Sequence, residues 1–283
     1  MSEARKALDP RAAGAKRLKG KIAIITGAGQ GIGRATARRM AEEGAAVLVV
    51  DRNREGAERT CRELREYGAD ADTFVTDITT PEAAQAVMAA ARERFGRIDI
   101  LVNNAGGSMY GPKLGWEYTP DELMQNVQNN FWTTMWCCWA VLPYMVEQRS
   151  GAIVNVGSNA PRGTMRLPYA AAKGGVFAIT TSLALETATL GIRINCVAPH
   201  WSISEDPDDR LVTRLPGQRP TPTGSEAQQV ERARLADQHV QNIPMRRPGT
   251  KEEQAAAITF LASDDASFIT GQILSVAGGA TVA

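Results

Sequence analysis

Two patterns of hydrophobic residues alternate along most of this chain of 283 residues. Short runs rich in Val and Ile are apolar at nearly every position, whereas longer stretches between them have apolar residues at helical spacing. The longer stretches predict helices at 34–43, 54–67 and 81–95, each followed by a glycine. Because strands that are apolar throughout are buried on both faces, we expect an α/β fold with a doubly wound, parallel, seven-stranded sheet of the Rossmann type. The short runs place its strands at 21–26, 46–51, 72–76, 98–103, 151–156, 192–197 and 272–276.

The pattern predicts one domain, residues 18–283, with a tail and an insertion. Residues 1–17 are basic and contain no apolar run, so we expect a disordered tail rather than a secretory signal. Residues 200–248 form a charged stretch with six prolines that leaves the sixth strand at its carboxyl end. Since open α/β sheets bind ligands at that end, this insertion is interpreted as a lid. The alternative is a surface loop with no role in binding.

Composition and charge exclude several classes of function. With 32 basic and 31 acidic residues, the net charge of +1 creates no field that would attract nucleic acid or an anionic membrane. The most apolar stretch, 131–146, is interrupted by polar residues and a proline, so no membrane span is expected. Four cysteines without CxxC spacing and two histidines offer no zinc site. We therefore expect a cytoplasmic protein with reduced thiols and no metal, acting on a small molecule.

A glycine-rich turn follows the first predicted strand and leads directly into a helix. In Thr26-Gly-Ala-Gly-Gln-Gly-Ile-Gly33 the glycines allow a tight turn, and the amides at the helix start can approach a pyrophosphate. No Gly-Lys-Ser/Thr follows, which excludes a Walker A loop. Asp51 ends the second strand, where a carboxylate can accept hydrogen bonds from ribose hydroxyls and would repel a 2′-phosphate. The sequence predicts a dinucleotide site that prefers NAD to NADP.

Further motifs follow along the chain in an order that is typical of one protein family. Asn103-Asn-Ala-Gly106 follows the fourth strand, Ser158 the fifth, and Tyr169-Ala-Ala-Ala-Lys173 comes next. With the glycine turn, these motifs resemble the short-chain dehydrogenase/reductase family over residues 18–283. The resemblance implies a catalytic set of Asn130, Ser158, Tyr169 and Lys173. It also implies that NAD is bound by Gly27, Gln30, Gly31, Ile32, Gly33, Asp51, Asp77, Ile78, Asn104, Ala105, Gly106, Tyr169, Lys173 and Pro199.

The spacing of Tyr169 and Lys173 indicates general base chemistry. Residues four apart on a helix share a face, and an ammonium ~4 Å from a phenolate stabilises it by about 4 kcal/mol at an effective dielectric constant near 20. Tyr169 would then take a hydroxyl proton while hydride moves to the nicotinamide, and Ser158 would hydrogen-bond the reacting oxygen. Asn130 would complete a proton relay from Lys173 through water. His200 follows Pro199 where the family usually has glycine, which leaves the shape of the nicotinamide loop open.

Two arginines lie in the segment that must border the reacting carbon. The guanidinium groups of Arg162 and Arg166 suit bidentate binding of a carboxylate, although surface arginines are commoner than ligand-binding ones. Residues 136–145, 172–176 and 253–271 resemble one branch of the family, the dihydroxycyclohexadiene carboxylate dehydrogenases, which oxidise the cis-diol of benzoate.

The branch implies NAD-dependent oxidation of a carboxylated cis-dihydrodiol to a catechol-type product in aromatic acid degradation. Three alternatives stay open: a 2,3-diol carboxylate of the cumate type, an NADP-dependent ketoreductase such as a 3-oxoacyl-carrier-protein reductase, and a non-catalytic dinucleotide-binding protein.

Three tryptophans, Trp132, Trp136 and Trp139, recur at helical spacing. Core packing would explain them, but in the family that the chain resembles the corresponding helix packs against its copy in a neighbouring subunit. So many large apolar groups suit a helix that is buried on more than one side. We therefore expect a homo-oligomer, a tetramer.

Overall fold

The computed structural model describes residues 16–110, 113–162, 165–203 and 240–280. Its main sheet has seven strands, all parallel, in the order β3-β2-β1-β4-β5-β6-β9. The doubly wound parallel sheet predicted from the hydrophobic pattern is confirmed. The strands are β1 (Ile22–Thr26), β2 (Ala46–Asp51), β3 (Ala71–Val75), β4 (Ile100–Asn103), β5 (Gly151–Val156), β6 (Ile192–Pro199) and β9 (Ile273–Val276), and a separate pair is formed by β7 (Ser202–Ile203) and β8 (Gly249–Thr250).

Helices cover both faces of the sheet, and each face has its own core. In β1, Ala23 and Ile25 pack on one side while Ile24 packs on the other, the alternation of an extended strand buried on both faces. Helices α1, α2 and α7 contribute to the first core, and α3, α5 and α6 to the second. Over the described residues the helices are α1 (Gly31–Glu42), α2 (Arg54–Glu66), α3 (Pro81–Phe95), α4 (Pro120–Val127), α5 (Thr133–Gln148), α6 (Leu167–Thr187) and α7 (Lys251–Ala262), with a π-turn (Gln128–Trp132) between α4 and α5.

Several boundaries differ from the sequence prediction by one to three residues, and two of the larger differences have a physical reason. Helix α1 starts at Gly31 rather than at 34, because the end of the glycine turn already forms the first helical turn. Strand β4 starts at Ile100 rather than at 98, since the Gln148 side chain hydrogen-bonds both the amide (3.1 Å) and the carbonyl (2.7 Å) of Ile98.

The predicted tail and insertion lie mostly outside the described residues, which leave out 1–15 and 204–239. At the edge of the tail, Arg17 is bound to Glu43 with an N–O distance of 2.6 Å. Within the described ranges, no helix combines the length and apolarity that crossing a bilayer requires.

Candidate active site

A cleft of about 480 Å³ lies where β1, β2 and β4 end. This is the edge at which parallel sheets of this type bind ligands. Ten residues predicted from the sequence line it: Gly27, Gln30, Gly31, Ile32, Asp51, Asp77, Ile78, Asn104, Ala105 and Gly106. The lining also includes residues that the prediction did not name, among them Val50, Arg52, Thr76, Thr79, Gly107, Ser108, Met109 and Lys251. Most are chain neighbours of the named residues, but nothing near Lys251 in the sequence pointed to the cleft.

Close contacts with Asn104 fix the glycine turn. The Asn104 amide group donates to the carbonyls of Thr26 and Gly27, both at 3.0 Å. A Cβ atom at Gly33 would lie 2.2 Å from the Gly27 carbonyl oxygen, and Gly27 itself has a φ of 63°. Side chains are therefore excluded from both positions, and the motif after β4 holds the turn that follows β1.

The donors and acceptors of the cleft fit a dinucleotide. Gln30 precedes α1 without capping it, and its buried side-chain oxygen has no hydrogen-bond partner. The α1 amides beside it offer the positive helix end that suits a pyrophosphate. At the end of β2, the Asp51 carboxylate accepts the amides of Gly29 and Asn53, one on each oxygen, both at 2.9 Å. Those bonds hold the carboxylate in place and leave lone pairs for ribose hydroxyls.

Neighbouring arginines are engaged with acids. Arg34 binds Glu63 through two nitrogens, at 2.6 and 3.0 Å. Arg52 lies 3.8 Å from Asp77. Each of the two guanidinium groups therefore has an acidic partner other than Asp51.

Lys173 links α6 to the end of β5. It is 3% exposed, and its Nζ donates to the carbonyl of Val156 at 2.7 Å. The same nitrogen lies 5.9 Å from the centre of the Tyr169 ring, as the spacing of four residues predicted. Ser158 lies two residues beyond Val156, and its oxygen accepts the Ala160 amide at 3.0 Å, so that its hydroxyl hydrogen can be donated elsewhere. The contact between α6 and the end of β5 thus brings Tyr169 and Lys173 toward the segment that contains Ser158.

Asn130 lies in the π-turn and is fully buried. Its side-chain oxygen accepts the Gly107 amide at 2.7 Å, and its amide donates to the carbonyls of Gly107 (3.1 Å) and Asn126 (3.0 Å). These bonds hold the segment after β4 and use both amide hydrogens. A link from Asn130 toward Lys173 would therefore run through its main-chain carbonyl.

A buried polar network lies beneath the site, and sequence reasoning missed it. Asn103 donates to Asn155 at 2.9 Å and to the Cys138 sulfur at 3.2 Å, and Asn155 donates to Thr180 at 2.9 Å. Burial raises the pKa of Cys138 to about 12, which keeps it a neutral thiol. The network joins β4, β5 and α6 next to the segments that bear Asn104, Ser158 and Lys173.

The remaining predicted residues, Pro199, Arg162 and Arg166, are not among the described residues that line the cleft. Pro199 ends β6 and accepts the Asn159 amide at 3.0 Å, next to Ser158. Arg162 ends a 3-10 turn, and the exposed Arg166 directly precedes α6 without capping it. No group of three or more His, Cys, Asp or Glu among the described residues is arranged to hold a metal.

Comparison with known proteins identifies related families and molecules. Residues 21–203 match the family model described as short chain dehydrogenase, and 215–281 match the model described as enoyl-(acyl carrier protein) reductase. The chain is 47% identical over 264 residues to 1,6-dihydroxycyclohexa-2,4-diene-1-carboxylate dehydrogenase of Pseudomonas putida, an alignment that covers 93% of this chain and 94% of the relative. It is 36% identical over 268 residues to 2,3-dihydroxy-2,3-dihydro-p-cumate dehydrogenase of Pseudomonas putida, over 94% and 96%. The solved structure of NAD⁺-bound xylitol dehydrogenase superposes with a TM-score of 0.82 at 33% identity, over 93% of this chain and 99% of that one.

Proposed function

Because the chain belongs to the short-chain dehydrogenase/reductase family, we propose that it is an NAD-dependent dehydrogenase of carboxylated cis-dihydrodiols. The substrate is a cyclohexadiene cis-diol carboxylate, and the product is of the catechol type, as in the degradation of aromatic acids. The observation that carries this proposal is the 47% identity to a dehydrogenase of such a diol acid over nearly the whole chain. Ser158, Tyr169 and Lys173 are all present in the sequence, which argues against a non-catalytic binding protein.

The proposed catalytic residues have different roles at the carbinol group that is oxidised. When bound, the dinucleotide supplies the carbon that accepts hydride. Tyr169 takes the hydroxyl proton at its phenol oxygen, and the buried Lys173 ammonium stabilises the negative charge there. Ser158 donates its free hydroxyl hydrogen to the reacting oxygen, while Asn130 holds the segment after β4. Lys173 keeps its position through the Val156 carbonyl.

NAD is the proposed cofactor because of Asp51. Each of its oxygens has one backbone amide bond and can accept one ribose hydroxyl as well. A 2′-phosphate at the same place would meet this carboxylate, and the two nearby arginines already have acidic partners, Glu63 and Asp77. An NADP-dependent ketoreductase would need the opposite charge at this position.

The carboxylate of the substrate is assigned to the arginines that precede α6. Arg166 is exposed directly before α6, so its guanidinium can be reached by a ligand from solvent. Arg162 lies four positions earlier on the same segment. If the carboxylate shares a carbon with one hydroxyl, oxidation at the neighbouring carbinol gives a β-keto acid. Loss of CO₂ from that acid yields the catechol, and aromatisation drives the reaction forward.

Turnover of matched diols tests the substrate. The protein is incubated with NAD and either 1,6-dihydroxycyclohexa-2,4-diene-1-carboxylate, a 2,3-diol carboxylate or a neutral cyclohexadiene cis-diol, while NADH absorbance and CO₂ are followed. We expect the 1,6-diol acid to be preferred, with one CO₂ per NADH. Arg166→Ala should raise KM for the acid roughly tenfold or more and spare the neutral diol. The control Arg62→Ala changes an exposed arginine on α2. Absence of turnover with every carboxylated diol contradicts the proposal.

We propose a homotetramer in the cytoplasm. Trp139 on α5 is 48% exposed and continues a row of rings, with centroids 4.8 Å apart for Trp132 and Trp136 and 6.3 Å apart for Trp136 and Trp139. The edge strand β9 is a second apolar surface, where Ile273 and Leu274 are exposed. Two such surfaces suit a closed assembly with two kinds of two-fold interface. The four cysteines are free and buried, which suits a reducing compartment. Sedimentation equilibrium measures the mass directly.

A further inference from the structure

Lys251 reaches the dinucleotide cleft from a distant part of the chain. It is the first residue of α7, and it lines the cleft beside Gln30 and Gly31. A Cβ atom built on Gly31 would lie 3.9 Å from its Nζ. Because Gly31 is the first residue of α1, the ammonium stands at the positive end of that helix. The ammonium and the glycine turn therefore face the same part of the cleft.

The backbone that carries Lys251 is firmly held. Thr250 caps α7 by accepting the Glu253 amide at 3.1 Å, and Glu253 accepts the Thr250 amide at 2.8 Å in return. Arg247 binds the same carboxylate at 2.6 Å. Helix α7 also packs along α1 through Ile258 and Leu261 in their shared core. Lys251 is thus directed into the cleft by a rigid element and not by a surface loop.

The sign of its charge is unfavourable for the helix that bears it. Acidic residues stabilise the first turn of a helix, and Glu252 and Glu253 follow that rule, whereas a cation there faces the positive end of the helix dipole. Two helix starts and the Lys251 ammonium meet at this part of the cleft. An arrangement of this kind suits a multiply charged anion.

The charges along the cleft indicate which part of the ligand this anion is. Asp51 and Asp77 lie at the ends of the second and third strands, and Arg52 lies beside Asp77. Lys251 lies at Gly31, where α1 begins, whereas the Asp51 carboxylate lies at Gly29, two residues earlier in the same turn. We infer that Lys251 binds the pyrophosphate of the dinucleotide, as a cationic clamp opposite the α1 amides. The inference rests on the proposed use of a nicotinamide dinucleotide and adds to it a residue of this chain.

Dissociation constants test the clamp without any need for turnover. NADH, NADPH and ADP-ribose are titrated into the native full-length protein and into Lys251→Gln, Lys251→Arg and Lys19→Gln, at low and high salt. Lys19 is an exposed lysine, so its variant removes the same charge at a distance from the cleft lining. Thermal unfolding of each variant without ligand is recorded alongside.

We expect Lys251→Gln to weaken all three ligands by the same factor, roughly tenfold or more at low salt, with a smaller loss at high salt. Its unfolding temperature without ligand should stay close to the native value, because Thr250 and Glu253 hold the start of α7 by capping it. Lys251→Arg should restore most of the affinity, and Lys19→Gln should bind as the native protein does.

Three results overturn the inference. They are unchanged dissociation constants in Lys251→Gln, a loss confined to NADPH, which would place Lys251 at the 2′-position, and a lower unfolding temperature that Lys251→Arg fails to repair. Each of these three results overturns the inference when the native protein itself binds NADH. If the native protein binds no dinucleotide at all, the proposed function fails and the clamp fails with it, so the two failures are distinguishable.

Discussion

Lys173 is almost completely buried, yet among the described residues its ammonium donates one hydrogen bond, to Val156, of the three that it can make. A buried charge normally needs full compensation, since desolvation is costly. In the proposed mechanism the remaining donors serve the Tyr169 phenolate, whose ring centre lies 5.9 Å from the Lys173 nitrogen. Ser158 has the same character, because its oxygen accepts the Ala160 amide while its hydrogen stays available.

Tyr169→Phe separates this chemistry from binding. The ring still packs beside Lys173, but no oxygen remains to take the proton, so turnover should fall by at least two orders of magnitude. NADH affinity is expected to stay within about threefold of the native value, since one neutral hydrogen bond contributes little. Initial rates and a fluorescence titration of NADH measure the two quantities. Activity above a few per cent of native would remove Tyr169 from the role of base.

Asp51→Ala tests whether Asp51 determines the preference for NAD over NADP. The variant loses a hydrogen-bond acceptor for the ribose and a charge that repels a 2′-phosphate, so NAD should bind more weakly and NADP relatively better. We expect the ratio of kcat/KM for NAD to that for NADP to fall roughly tenfold or more. Glu66→Ala, an exposed acid at the end of α2, is the control. A ratio that does not move would show that another group distinguishes the two cofactors.

At the scale of elements, the sequence pattern predicted the strands and helices that depend on interactions between residues close together in the chain. Apolar runs and glycine stops indicated the strands and the first three helices, because burial and capping act over a few neighbours. The start of β4 was wrong by two residues, since the Gln148 side chain replaces the ladder at Ile98. The network of Asn103, Cys138 and Asn155 joins residues far apart in sequence, and nothing in the local pattern of any one of them reveals its partners.

Arg193 on β6 holds the carboxyl end of α7. Its guanidinium donates to four main-chain carbonyls at 2.8 to 3.2 Å, which belong to Leu261, Ala262, Ser263 and Ala266. These include carbonyls that the helix end leaves without partners, and positive charge suits that end. Burial lowers the pKa of Arg193, so the contact itself must offset the cost of desolvation.

Arg193→Met should therefore lower the free energy of unfolding by about 2–3 kcal/mol, because several buried carbonyls lose their donor. Arg193→Lys should recover only part of the loss, since an ammonium cannot span four acceptors. Denaturant unfolding measures both, with Arg62→Met on the exposed side of α2 as the control. A loss no larger than that of the control would mean that other groups satisfy the end of α7.

At the scale of the whole molecule, three of the predicted motifs lie together because each follows a strand of the sheet. The glycine turn, Asp51 and Asn104 meet in one cleft, as expected for parallel strands that end at one edge of a sheet. Lys251 escaped prediction because its approach to Gly31 depends on how α7 packs against α1. The side chain of Arg17, at the edge of the predicted tail, binds Glu43 and lies 3.3 Å from Asp265, a contact between residues far apart in the sequence.

Glu43 links these parts of the molecule, and its charge predicts an acid limit to stability. Burial alone would raise the pKa of this carboxyl, but hydrogen bonds from Arg17 and Arg39 overcome it and hold the pKa below its usual 4.5. A carboxyl with a lowered pKa in the folded state adds stability that is complete above its unfolded pKa and is lost as the pH falls through the folded value.

The free energy of unfolding should thus decline as the pH drops below about 4.5, and Glu43→Gln should flatten that decline. At pH 7 the variant should be less stable by about 1.5–3 kcal/mol, because both guanidinium groups lose an ionised acceptor. Denaturant unfolding between pH 3 and pH 7 measures this, with Glu66→Gln as the exposed control. Equal pH slopes in the native protein and Glu43→Gln would show that the acid limit arises elsewhere.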